Sequence, residues 1–72
     1  MVKQMTEDVL TRAQTALSNS PVYLLRQLDV QHIDGAIYLS GRVDSFYHKQ
    51  LAQEVVRAVT GSHRVVNSVR VE

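Results

Sequence analysis

Residues 28–44 read LDVQHIDGAIYLSGRVD, and the Asp34-Gly35 pair near their centre decides the fold. A two-residue type I′ loop needs positive φ at both central positions, and Asp followed by Gly tolerates that best. With these two residues as the loop, the pairing register follows. Ile33 faces Ala36, His32 faces Ile37, Gln31 faces Tyr38, Val30 faces Leu39, Asp29 faces Ser40 and Leu28 faces Gly41. The register sorts the side chains. Leu28, Val30, His32, Ile37, Leu39 and Val43 fall on one face, and Asp29, Gln31, Tyr38, Ser40 and Arg42 on the other. A slip of one residue would scramble both sets. The stretch is therefore a hairpin with a core face and a wet face, and the rest of the chain must cover the core face.

Beyond the hairpin, Asp44 or Ser45 caps a second helix over roughly Phe46 to Thr60, with Gly61 as its left-handed stop. Its apolar stripe is Leu51, Ala52, Val55, Val56 and Val59, with His48 at the N-terminal end of the stripe. Gln50, Gln53, Glu54 and Arg57 lie opposite, and so does Phe46, where a core residue is not expected. A third strand, about Arg64 to Val71, alternates Val65, Asn67, Val69 and Val71 with Val66, Ser68 and Arg70. The connection from the second strand through the helix to the third is a right-handed crossover, which makes those strands parallel. Gly41, late in the second strand, marks a close approach of backbone, most simply a helix crossing over it.

Ahead of the hairpin, a first helix runs roughly from Glu7 to Asn19. Thr6 is its expected N-cap, and Val9, Leu10, Ala13, Ala16 and Leu17 form one stripe. Ser20-Pro21 ends it, since proline disfavours helical geometry in the residue before it. For Pro21 to Gln27 a short turn capped by Ser20 is favoured over an extended lead-in, with Tyr23, Leu24 and Leu25 beneath the sheet. The order is αββαβ: a two-layer α+β sandwich with two helices on one face of a three-stranded mixed sheet. The expected core is Val9, Leu10, Ala13, Leu17, Leu28, Val30, Ile37, Leu39, Val43, Leu51, Val55, Val59, Val69 and Val71.

The chain has 72 residues and no cysteine, so residues 1–72 read as a single small domain without disulfide or thiolate chemistry. Eight Lys and Arg against seven Asp and Glu give a net charge of +1, far from the balance of a dedicated nucleic-acid binder. No Gly-x-x-Gly clamp of the RNA-binding KH type is present. No run is long and apolar enough to span a bilayer. The start, MVKQMTEDVL, has no apolar signal region. That fits either a cytoplasmic protein or a domain of a longer, exported chain.

Taken together, Leu39-Ser40-Gly41-Arg42-Val43-Asp44-Ser45, Ala52 and Val55-Val56 on a helix, then Gly61, Val65, Asn67, Val69 and Val71 carry a resemblance. The chain resembles a BON domain, the bacterial osmotically inducible and nodulation-type module. The match covers about half the chain, and the first helix with Leu28-Asp29-Val30 fits the usual N-terminal half. Ser62 departs from it, since such domains usually carry valine after the glycine. The resemblance implies the αββαβ fold and a non-enzymatic module, often of envelope or periplasmic proteins, that binds phospholipid membranes or protein partners. It supplies no catalytic residues and no cofactor.

The residues themselves nominate two surfaces. Arg42, Phe46, Tyr47 and Lys49, at the corner between the second strand and the second helix, combine two aromatics with two cations, as a membrane-interface anchor does. The bland alternative is that Phe46 folds back over the hairpin. The wet sheet face, with Gln31, Tyr38, Ser40, Arg42, Ser68 and Arg70, is the alternative contact surface for a protein partner. Asp34, Gly35, Gly41, Asp44, Ser45, Gly61 and Asn67 read as structural, with Asn67 bonding toward the Gly61 loop. His32, His48 and His63 match no metal-ligand spacing on a shared element, so no metal site is expected. Capping accounts for Asp44 and Ser45 beside His48 without catalysis. The sequence therefore reads as a non-catalytic module; its two open sheet edges allow weak association at most, and a monomer at micromolar concentration is the expectation.

Overall fold

The computed structural model describes residues 8–72, so the expected cap Thr6 and the helix start at Glu7 lie outside the described residues. The hairpin forms as its loop chemistry demands. Strand β1 spans Asp29–Ile33 and β2 spans Ala36–Ser40, joined by Asp34 at φ +51 and Gly35 at φ +80. All five observed pairs, from Asp29 with Ser40 to Ile33 with Ala36, are those the two-residue loop dictates. Strand β3, Arg42–Val43, continues the direction of β2. Helix α2, Phe46–Thr60, leads to β4, Arg64–Asn67, and β5, Arg70–Val71. β4 lies parallel to β2 and β5 parallel to β3, giving the sheet order β1-β2-β4 with β3-β5 beyond its end.

The two expected long strands are thus each broken, β2 from β3 at Gly41 and β4 from β5 at Ser68-Val69. The breaks leave the register unchanged. Leu39 with Asn67 and Arg42 with Arg70 are separated equally along the chain, and backbone bonds bridge the gap. Ser68 N–H donates to the Leu39 carbonyl, Arg70 N–H to Gly41 and Glu72 N–H to Val43, each at 2.9 Å. The cause at Gly41 is not an overlying helix. A Cβ there would lie 2.8 Å from Leu28 Cδ2 and 3.5 Å from Leu28 Cα, and φ is +124. Leu28 crosses the strand where only a glycine leaves room.

Helix α1, Val9–Ser18, is capped by Asp8, whose carboxylate accepts from Thr11 N–H at 2.9 Å. It buries Val9, Ala13 and Leu17. Ser20 Oγ accepts from Val22 N–H at 3.0 Å, and a 3-10 turn follows at Tyr23–Gln27. That turn plugs the core with Leu25, while Leu24 is half-buried and Tyr23, expected beneath the sheet, is 60 % exposed. Tyr23 is instead used at the surface: Gln27 donates to its hydroxyl at 2.7 Å and Arg26 lies over its ring.

The buried face of α2 is centred on Ala52, Val56 and Thr60, one position round from the expected Leu51, Val55 and Val59, which are half-buried. A small residue lets the helix axis approach closely, so Ala52 sits at the contact and the larger Leu51 and Val55 pack along its flank. Arg12 Nε ties the helices by donating to the Val59 carbonyl at 3.0 Å. Val71, expected in the core, is 42 % exposed, because it ends the sheet on the outer of its two final strands. His32, placed on the core face by alternation, is exposed at the hairpin end beyond the helices' cover.

Candidate functional site

The corner where β3 enters α2 is built by two side chains with separate tasks. Ser45, extended at φ −159, is the N-cap, and its Oγ accepts from His48 N–H at 3.1 Å. Asp44 is not a cap. Its carboxylate lies 2.6 Å from His48 Nδ1, and since a carboxylate only accepts, the imidazole proton sits on Nδ1. The hydrogen bond from His48 holds the Asp44 carboxyl below its ordinary range. His48 is thereby turned along the helix, with Tyr47 tilted against it at 5.5 Å between ring centroids.

With these two anchors in place, the first turn of α2 presents its aromatics outward. Phe46 is 75 % and Tyr47 70 % exposed, so Phe46 does not fold back over the hairpin. Lys49 Nζ lies 5.9 Å from the Phe46 ring centroid, within cation–π range. The backbone of this turn is fixed from the sheet. Asn67 Nδ2 donates to the Lys49 carbonyl at 2.9 Å and to Gln53 Oε1 at 3.3 Å, and its Oδ1 accepts from Val69 N–H at 3.1 Å. Asn67 is structural, as expected, but it bonds α2 rather than the Gly61 loop.

Arg42, the fourth residue expected at this corner, adjoins it on β3 and is ion-paired with Glu72. It is the cross-strand partner of Arg70, and Glu72 lies between them. Glu72 Oε1 accepts from Arg42 Nη1 and Oε2 from Arg70 Nε, both at 3.2 Å. An open groove of about 450 Å³ runs past this pair, lined also by Leu24, Gln27, Gly41 and Asp44. Sequence reasoning missed Glu72, although its placement two residues after Arg70 on the alternating strand was a usable signal.

The open sheet face collects the other expected residues. Gln31 and Tyr38 are direct partners, with Val66 on the far side of Tyr38. Tyr38 is half-buried, and Gln31, Ser40, Ser68 and Arg70 are exposed. Of the three histidines, His32 and His63 meet edge to face, 5.4 Å between centroids, with His63 Nδ1–H donating to the Thr60 carbonyl at 2.9 Å. His48 pairs with Asp44 instead. Among the described residues no group of three or more His, Cys, Asp or Glu side chains is arranged to hold a metal, and no helix is long and apolar enough to cross a membrane.

Among the described residues the exposed large hydrophobic side chains are Tyr23, Ile33, Phe46, Tyr47 and Val71, and the most exposed are the adjacent pair Phe46 and Tyr47. The model of the BON domain family matches residues 6–72, nearly the whole chain, and the protein belongs to that family. BON domains are small, non-catalytic modules associated with phospholipid binding or with envelope proteins. No curated protein matches the chain.

Proposed function

We propose that this domain docks peripherally on anionic phospholipid membranes through Arg42, Phe46, Tyr47 and Lys49. The observation that carries the reading is the adjacent pair Phe46 and Tyr47, 75 % and 70 % exposed at the first turn of α2 with a lysine over one ring. Neither ring supports the core, and aromatics of this kind favour the headgroup level of a bilayer. Each nearby cation gains roughly 1 kcal/mol at an anionic surface. With a net charge of +1 on the whole chain, the attraction is local and is screened by salt. Binding is therefore weak, reversible and lost at high ionic strength. For an exported parent protein the membrane would be that of the envelope.

The test is two-dimensional NMR of the domain with vesicles of phosphatidylcholine, with and without phosphatidylglycerol. Broadening centred on Arg42, Phe46, Tyr47 and Lys49, present only with the anionic lipid and reduced by Phe46→Ser with Tyr47→Ser, is the expected result. Unchanged spectra at low salt would sink the membrane reading. They would favour a protein partner at the open face of Gln31, Tyr38, Ser40, Arg42, Ser68 and Arg70.

A further inference from the structure

We propose that Arg42 and Arg70 form a phosphate-binding fork that Glu72 occupies in the free domain. The argument starts from register. The β3–β5 ladder sets Arg42 directly opposite Arg70, and like charges so placed destabilise a sheet. The chain offsets this with one carboxylate. Glu72 follows Arg70 by two residues on the same face and gives one oxygen to each arginine, at 3.2 Å on both sides. Two guanidinium groups converging on the two oxygens of one anion is the arrangement that also receives a phosphate.

Glu72 is an exchangeable occupant. The side chains of Arg42 and Arg70 are 68 % and 71 % exposed, and ion pairs in that setting are weak. A phosphate monoester carries more charge than a carboxylate and has three acceptor oxygens. The groove of about 450 Å³ beside the fork gives it room to enter from solvent. Asp44 on the groove wall opposes an anion, but its carboxylate is engaged by His48 at 2.6 Å. The ligand class is thus a phosphate group, either free or on a lipid head. The lipid source rests on the membrane reading above, whereas the fork itself can be tested without a membrane.

The experiment titrates the full chain with inorganic phosphate at constant ionic strength, following the arginine Nε–H signals by NMR. Saturable shifts at Arg42 and Arg70 are expected. Removing the internal competitor in Glu72→Gln should tighten binding about fivefold, the size of effect an exposed ion pair gives. Arg70→Gln should abolish the shifts, and Arg42→Lys, which keeps the charge but loses the fork, should weaken them. No saturable shift at either arginine overturns the proposal. So does a well-dispersed Glu72→Gln variant that binds no tighter than the parent. Vesicles containing phosphatidic acid separate the sources. Stronger vesicle binding by Glu72→Gln supports a lipid phosphate. Phosphate binding without any vesicle binding supports the fork for soluble phosphates and removes the membrane reading. Vesicle binding that survives Arg70→Gln unchanged, with no phosphate shifts, removes the fork and leaves the aromatic anchor standing.

Discussion

Replacing Gly41 with alanine should be among the most damaging single-methyl changes in this domain. Two costs combine. The backbone sits at φ +124, a region that residues with a side chain occupy at a cost of about 1–3 kcal/mol. The new Cβ would also lie 2.8 Å from Leu28 Cδ2, so Leu28, a buried core residue, must move. Forcing an extra carbon into a packed site costs typically about 1–3 kcal/mol, and the lower end applies because the nearest atom ends a rotatable side chain. The sum is roughly 2–4 kcal/mol, a large share of the ~4–10 kcal/mol that a domain of this size commands. The assay is urea unfolding, comparing midpoints at constant slope. Gly35→Ala is the internal control, since Gly35 has φ +80 but nothing within 4 Å of the added carbon. It should cost about 1 kcal/mol, the backbone term alone. Equal losses in the two variants would refute the close crossing of Leu28 over Gly41.

Three further outcomes follow from the same contacts. Asn67→Ala removes two donated bonds to α2 and the acceptor for the Val69 N–H, and should lower stability by roughly 2–3 kcal/mol in the same unfolding assay. Asp8 and Asp44 both titrate below the ordinary value of 3.8, the first through Thr11 and the second through His48. Their contribution is therefore fully present above that value and is lost as pH falls through their lower folded values. Thermal melts should show stability declining below about pH 4, and Asp44→Asn should flatten that decline. Phe46→Ser with Tyr47→Ser should leave the unfolding free energy within about 0.5 kcal/mol of the parent, as surface changes do, while reducing vesicle binding.

How much of this was legible in the sequence depended on how local the cause was. The hairpin register was fully readable because Asp34-Gly35 sets it from within the loop. Both helices were readable from period and stops. The stripe of α2 already held Ala52 and Val56, but the expected core took Leu51, Val55 and Val59 from it, because size outweighs position in a hydrophobic pattern, and the buried Thr60 lay outside it. The break in the strands was half visible: Gly41 signalled a close approach and the register set Leu28 opposite it, but a crossing helix was the simpler cause on sequence alone, whereas the approaching group is Leu28. At the candidate site, Phe46 stood out because it fell off the apolar stripe, and it is indeed exposed. Glu72 did not stand out, because its role depends on Arg42 facing Arg70. That pairing is set by the crossover through α2, a non-local event.

Lys49 joins the scaffold to the surface. Its backbone carbonyl accepts from Asn67, which in turn accepts from Val69 N–H on the chain leading to β5. Its ammonium group lies over Phe46. One polar side chain on the sheet thus sets the position of the helix turn that carries the exposed aromatics, and the same side chain steers the strand that carries Arg70 and Glu72. The aromatic pair and the arginine fork are therefore placed by a common support, although they share no contact of their own. Polar groups buried between a helix and a sheet add little net stability when satisfied and a large penalty when they are not. Such a group fixes one arrangement among several that apolar packing alone would tolerate. A valine at position 67 would continue the alternation of Val65 and Val69 and would fill the same face. It would leave the first turn of α2 held by packing only, with nothing to fix its angle to the sheet. Asparagine in a run of valines is thus best understood as the residue that orients the helix turn carrying Phe46 and Tyr47.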